Sequence, residues 1–194
     1  GEWNGFQVQA GQLLGYVGGQ TLDFGVYDWE IQLPGLINPD AYASREPWKI
    51  HTVDPFQYFP DATRNALLSK MIRKVEPRSG KIDYDVDGAL SGNWFQQGTD
   101  WYNGINQRKY WEGHLSIAPH EIDPNLWRIG IGFLDVDDNN FIIVGKHDPA
   151  ELLSIANPVS YELKRHDIYI PLQPEKKWWS DPYSENDVYE VRIS

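Results

Sequence analysis

Short apolar segments separated by turn residues make up most of this chain, and their spacing limits the folds that it can adopt. The alternating or apolar pattern of a β-strand recurs in the segments 81–86, 89–96, 110–118, 127–134, 141–144, 159–163 and 188–193. Asp87-Gly88, between the first two segments, has the residues of a tight hairpin turn. The pattern predicts that successive strands pair with each other in an antiparallel barrel or sandwich.

Helical spacing is clearest in one segment, residues 61–75. Asp61 is suited to an N-cap, and Pro77 and Gly80 follow where the helix should end. A second, short helix is predicted to open at residues 148–151, which read Asp-Pro-Ala-Glu. The predicted fold class is therefore mainly β, with one or two short helices.

Composition and charge exclude several classes of partner. The chain of 194 residues is 41% hydrophobic and 23% charged, which is the range of an ordinary folded protein. A formal net charge of −11 makes nucleic acid an unfavourable partner. No apolar run approaches the roughly 20 residues that a membrane helix needs, so we expect no membrane insertion. With no cysteine, the chain has no disulfides and no thiolate ligands.

Residues 9–18 contain a recognisable motif. They read QAGQLLGYVG and resemble the V-x-x-G-Q-x-I-G-x-x-G stretch of lysostaphin-type zinc endopeptidases. Asn38-Pro39 and residues 53–59 resemble the stretch with which such domains end, so the similarity covers about residues 8–59. It implies a partial peptidase-like β module over 1–59, a second domain of helix and β-structure over 60–194, and a secreted or cell-envelope location, although the chain shows no signal peptide.

The strand that follows this motif departs from the family pattern. In the family it carries two histidines separated by one residue, and here those places hold Thr21 and Asp23. A catalytic zinc needs about three protein ligands and a bound water. Because a threonine hydroxyl cannot replace an imidazole in proton transfer near neutral pH, we expect a degenerate module without zinc peptidase activity.

Two acidic segments raise the question of calcium, the one cofactor that the sequence suggests. Asp83, Asp85 and Asp87 fit the opening D-x-D-x-D-G of a calcium loop, but its twelfth position, which should be Glu, is Trp94. The alternative interpretation is a solvated strand face that runs into the Asp-Gly turn. Residues 135–140 form a second acidic cluster, for which a hairpin loop is the simpler interpretation and calcium the alternative.

Aromatic residues interleaved with polar ones indicate a candidate ligand site. Stacking surfaces beside amides, carboxylates and an imidazole are typical of sugar or small-ligand pockets. The candidate residues are Trp94, Trp101, Trp111, Asn93, Glu112 and His114. The alternative interpretation places Trp94 and Trp111 in a barrel core. The patterns D-G-x-L-x-G-N-W-F and W-E-G-H-L within 81–163 are also similar to lipocalin-like barrels.

Three functions remain open from the sequence. The first is a non-catalytic, secreted or envelope-associated binding protein with an aromatic-lined pocket for carbohydrate or another small ligand. The second is a hydrolase with a site near His114, Glu112 and the acidic segment 83–87. The third is a structural module of a larger protein. A binding protein predicts a surface cleft lined by a tryptophan, whereas a hydrolase predicts a carboxylate within hydrogen-bonding distance of His114.

Overall fold

The strands and helices below come from a computed structural model, which describes residues 5, 7–16, 24–134, 139–152, 159–165 and 188–193. Its strands are β1 (Val26–Tyr27), β2 (Thr52–Val53), β3 (Gly92–Phe95), β4 (His114–Pro119), β5 (Trp127–Ile131), β6 (Asn140–Val144), β7 (Val159–Lys164) and β8 (Val188–Ile193). One α-helix, α1 (Asp61–Lys70), occurs in this part of the chain. Short 3-10 helices cover Pro39–Tyr42, Pro47–His51, Pro55–Tyr58, Trp101–Asn103 and Gln107–Gly113. The mainly β class with few short helices is confirmed.

The larger sheet is an antiparallel meander. Its six strands follow the order β3-β4-β5-β6-β7-β8, so each strand pairs with its neighbours in sequence. Strands β1 and β2 form a separate two-stranded sheet. Within the described residues the larger sheet is open, with β3 and β8 at its edges, and the barrel that the sequence allowed is not observed.

One face of the large sheet carries the main hydrophobic core. Ile117 pairs with Ile129, and Ile129 pairs with Phe141, so these side chains lie on the same face. The sheet core consists of the buried residues Leu90, Ile117, Ile129, Ile131, Phe141, Tyr161 and Leu163. The alternation of apolar and polar residues thus sets the register, because a shift by one residue would turn this face to solvent.

A second hydrophobic cluster packs the N-terminal part of the chain against the end of β3. Tyr42 is buried and contacts the rings of Phe95 and Tyr102, with centroid distances of 5.7 and 5.0 Å. The cluster also contains Leu36 and Ala41, both buried. It therefore joins residues on both sides of the predicted boundary between 1–59 and 60–194.

The structure differs from the sequence predictions in the two helical segments. Helix α1 ends at Lys70 rather than at residue 75, and its Leu68 carbonyl accepts a hydrogen bond of 2.7 Å from the Arg78 guanidinium. Asp61 is the first helical residue rather than the N-cap. The predicted helix at 148–151 is only a turn, although the Asp148 carboxylate accepts the Ala150 N–H as a capping residue would.

Two predicted strands also change. Residues 81–86 are not a strand; instead of a strand ladder, the Asp83 and Asp85 side chains accept hydrogen bonds from the backbone N–H groups of Gly35 and Ile37. The predicted strand 110–118 begins only at His114, and a 3-10 helix precedes it. The Asp87-Gly88 turn does form, with Gly88 at a φ of 77°.

Candidate functional site

An open cleft of about 420 Å³ lies where the β3–β4 pair meets the loop after β5. Its lining, which we call the aromatic cleft, consists of Trp94, Phe95, Gln96, Glu112, Gly113, His114, Leu115 and Phe133. Three of the six predicted ligand residues, Trp94, Glu112 and His114, are therefore brought together here. The volume lies in the usual range of small-molecule sites, about 300–1,000 Å³.

Trp94 provides the largest flat surface of the aromatic cleft. It sits on edge strand β3 opposite Leu115 and is 47% exposed. Its indole N–H donates a 2.9 Å hydrogen bond to the Leu90 carbonyl, which holds the ring in one orientation. A ring that is already oriented loses less conformational entropy when a ligand stacks on it.

Phe133 adds a second exposed ring to the lining of the cleft. It is 64% exposed, although a phenylalanine favours burial. Phe133 follows the end of β5, whose Ile131 pairs with Leu115 across the sheet. The pairing of β4 with β5 thus brings an aromatic side chain to the cleft that contains Trp94.

Glu112 and Gln96 supply polar side chains of the cleft, whereas the His114 imidazole lies on the opposite face of the sheet from Trp94, because His114 pairs with Phe95. The Glu112 carboxylate accepts a hydrogen bond of 2.9 Å from Lys109, and both side chains are partly exposed. His114 Nε2 lies 3.1 Å from the Tyr102 carbonyl oxygen. Because a carbonyl only accepts, Nε2 carries the proton and Nδ1 keeps its lone pair in the neutral ring.

Rings surround His114 and weaken its basicity. Its ring centroid lies 4.7 Å from that of Tyr102 and 5.2 Å from that of Phe95. Burial lowers the pKa of His114 below its usual value, and the nearby cations Lys49 and Arg45 lower it further, against the opposing effects of the Tyr102 carbonyl and Glu46. The imidazole is therefore neutral at pH 7.

Behind the cleft, Tyr102 of the second hydrophobic cluster is held by a polar contact, and Tyr42 packs against its ring. The Tyr102 hydroxyl donates a 2.9 Å hydrogen bond to Glu46, which also pairs with Lys49 at 3.1 Å. Burial raises the pKa of Tyr102, and the Glu46 carboxylate raises it further. Burial together with the charge of Asp85 likewise raises the pKa of Tyr42. These contacts form a rigid support for the His114 ring.

The remaining predicted ligand residues lie outside this lining. Trp101 and Trp111 are 54% and 46% exposed, so neither belongs to a closed core, but neither lines the aromatic cleft. Asn93 lies on the opposite face of β3, where its side chain donates to Asp85. Sequence reasoning missed Phe133, Gln96 and Leu115. A prediction of the strand register that put Leu115 opposite Ile131 would have placed Phe133 near Trp94.

The acidic residues Asp83 and Asp85 bind backbone amides instead of forming a three-carboxylate cation site. Asp83 accepts the Gly35 N–H at 3.0 Å, and Asp85 accepts the N–H groups of Ile37 and Asn93 at 3.0 and 2.9 Å. Among the described residues, no group of three or more His, Asp or Glu side chains is placed to hold a metal. Within the described residues, the predicted calcium ligands Asp83, Asp85 and Asp87 are therefore not grouped as ligands of one cation.

We call the pair Asp83 and Asp85 the carboxylate clasp, because it fastens residues 35–37 to the segment before β3. Asp85 also donates its own N–H to the Gly35 carbonyl at 3.0 Å. A Cβ at position 35 would lie 2.2 Å from the Asp83 carbonyl oxygen, so only glycine permits this approach. The sequence indicated the carboxylates but not their partners, which lie 48 residues away.

Some predicted features fall on residues that the structure does not describe. These are Thr21 and Asp23 of the degenerate peptidase-like strand, and residues 135–138 of the second acidic cluster. In the described part of the peptidase-like region, Val26 pairs with Val53 and Tyr27 with Thr52.

Two further findings concern the whole chain. In the described part of the chain, no helix is long and apolar enough to span a bilayer. Comparison of the chain with protein-family models, with curated proteins and with solved structures found no match.

Proposed function

We propose that this chain is a non-catalytic binding module that holds a carbohydrate, or another small ligand with an apolar face, in the aromatic cleft. The observation that carries the proposal is the exposed Trp94 ring, which is fixed by its own hydrogen bond and faces a cleft of ligand size. Glu112 and Gln96 supply acceptors and a donor for hydroxyl groups beside this ring.

The arrangement suits a sugar better than a flat aromatic ligand or a charged one. One face of a pyranose ring presents C–H groups that pack on an indole, and its rim presents hydroxyls. Trp94 and Phe133 offer two separate stacking surfaces, 47% and 64% exposed, which fits an oligomer of two or more units. The His114 ring is neutral and lies on the other face of the sheet, against Phe95 and Tyr102, so it adds no charge to the cleft.

The environment of His114 favours binding over hydrolysis. Its Nε2–H is used by the Tyr102 carbonyl, and in the described part of the chain no hydrogen bond joins His114 to a carboxylate. A histidine base is normally oriented by such a partner. We therefore prefer the binding module to the hydrolase.

The resemblance of residues 8–59 to lysostaphin-type peptidases supports a choice of ligand class and location. We propose that this region is a degenerate relative of that family and that the protein is secreted or envelope-associated. The ligand would then be glycan of a cell wall. The two-stranded pairing of β1 and β2 is compatible with this proposal but does not distinguish it from other small β modules.

Calorimetric titration with N-acetylglucosamine trimer, a soluble glycan fragment, tests the proposal. We expect saturable binding and a loss of at least about tenfold in affinity for Trp94→Ala, since stacking aromatics dominate such sites. Trp101→Ala is the matched control, because Trp101 is similarly exposed, at 54% against 47%, but lies outside the cleft. Equal affinities of the Trp94→Ala variant and the unmodified protein would contradict the proposal, as would the absence of binding to a panel of glycans.

A further inference from the structure

A second cleft, of about 210 Å³, lies on the opposite face of β3 and β4 from Trp94. Asn93 pairs with Ser116, and Trp94 pairs with Leu115, so the two pairs point to opposite faces of the sheet. The polar part of its lining includes Arg73, Lys81, Asn93, Ser116 and Glu121. Ile82 and Ala118 supply apolar wall.

Arg73 is the most informative residue of this second cleft. It is only 5% exposed, and its hydrogen bonds go to carbonyl oxygens: Nε donates to Pro77 at 2.7 Å, and Nη1 donates to Glu121 at 3.0 Å. No carboxylate of the described residues lies within ion-pair distance of the guanidinium. Its positive charge is therefore buried without a negative partner, which is costly unless an anion approaches.

One nitrogen of this guanidinium is still available as a donor. Nη2 donates to no described residue, and it is not among the fully enclosed atoms that lack a partner. Because Arg73 lines the second cleft, this nitrogen is the donor that a ligand there can use. A guanidinium held rigidly by main-chain acceptors is a preorganised site for an oxyanion.

Two more groups of the lining can bind the same oxyanion. Lys81 lies 3.5 Å from the Asp83 carboxylate and is partly exposed, so its ammonium group retains donors for a ligand. The Ser116 residue is exposed and forms no hydrogen bond through its side chain to another described residue. Its hydroxyl can donate to a ligand oxygen.

The remaining charges determine which oxyanion fits. Burial opposes ionisation of Glu121, but a backbone hydrogen bond and the Arg128 guanidinium outweigh it and lower the pKa of Glu121, so this carboxylate is charged. Because the Glu121 carboxylate is also in the lining and the chain carries a net charge of −11, a dianion is repelled more than a monoanion. Ile82 and Ala118 suit a short aliphatic body.

We propose that the second cleft is a binding site for a small carboxylate with a short apolar body. The carboxylate accepts from Arg73 Nη2 and Lys81 Nζ, and its alkyl part packs on Ile82 and Ala118. This site is separate from the aromatic cleft, so each can be tested without the other.

The test is an NMR titration of the purified protein with sodium propionate, following the side-chain N–H signals of Arg73. Sodium chloride at equal ionic strength is the control for screening, and inorganic phosphate is the comparison for anion class. We expect a saturable shift with propionate, and weaker binding by about tenfold in Lys81→Gln, the size of one charge-assisted hydrogen bond. Ser116→Leu should block the cleft and abolish the shift.

The melting temperature of each variant shows whether it is folded. Saturable propionate binding that a folded Ser116→Leu variant loses supports the site. A shift that chloride reproduces, equal binding by a folded Ser116→Leu variant, or tighter binding of phosphate than of propionate would overturn the proposal.

Discussion

Replacing Asp85 by alanine should separate the N-terminal segment from the large sheet. The Asp85 carboxylate accepts three hydrogen bonds, from the Ile37 N–H and from the backbone and side chain of Asn93, at 3.0, 2.9 and 3.0 Å. Without this carboxylate, the Ile37 and Asn93 N–H groups lose their acceptor. The Asn93 amide keeps a longer bond of 3.3 Å to the Ile82 carbonyl.

The expected cost follows from which of these bonds are shielded from water. Hydrogen bonds to a charged acceptor contribute about 1.5–3 kcal/mol each, and the lower value suits the two part-buried bonds from Asn93. The exposed Ile37 bond adds little because water replaces it. The total is about 3 kcal/mol, which in a chain of this size lowers the melting temperature by roughly 6–12 °C.

Urea unfolding followed by circular dichroism measures this change. Asp87→Ala is the matched control, because it removes the same charge from an exposed position and should change the free energy of unfolding by less than about 0.5 kcal/mol. Asp85→Asn should fall between the two, since its carbonyl still accepts from Asn93 while its amide opposes the Ile37 N–H. Equal stability of Asp85→Ala and Asp87→Ala would refute the carboxylate clasp, and so would a calcium-induced rise in melting temperature that Asp87→Ala removes.

Three further predictions concern the core and the buried titratable groups. Ile117→Ala, at a position 1% exposed in the sheet core, should cost about 2–5 kcal/mol in urea unfolding, whereas a cost below about 1 kcal/mol would contradict the assignment of this face. The folded-state pKa values of Tyr102 and Tyr42 are raised, so the unfolded chain loses these protons first as the pH rises. The free energy of unfolding should therefore fall above about pH 10, and it should fall less steeply in Tyr102→Phe. The folded-state pKa of His114 is lowered, so the contribution of this residue to the free energy of unfolding is complete above about pH 6.5 and is lost on acidification. His114→Gln should therefore flatten the acidic part of the plot of unfolding free energy against pH. An unchanged slope in either variant would count against the burial of that side chain.

The sequence was sufficient for the large sheet because one physical signal, the alternation of apolar residues, directly determines which face is buried. Ile117 and Ile129 fall on the core face in this way. It was insufficient for segment 81–86, where alternating aspartates have the same period as a strand. Their partners are backbone amides of residues 35–37, and nothing in the local pattern encodes a contact at that separation.

The candidate site, like the fold, could be predicted from the sequence only in part. Trp94, Glu112 and His114 are close in sequence or lie on paired strands, so their proximity follows from the antiparallel pairing of β3 with β4. Phe133 comes from a loop whose course depends on tertiary packing, and Trp101 and Trp111 are held in 3-10 helices that the strand prediction did not anticipate. The three tryptophans are similarly exposed, so it is the position of Trp94 on edge strand β3 that distinguishes the tryptophan lining the cleft.

The contact between a glycan and Trp94 is the most direct test of the proposed binding module. In an NMR titration with N-acetylglucosamine trimer, we predict nuclear Overhauser effects between the sugar C–H protons and the Trp94 and Phe133 rings, with the indole N–H of Trp94 still hydrogen-bonded to Leu90. Sugar contacts at Trp101 or Trp111 instead, with no change at Trp94, would contradict the account.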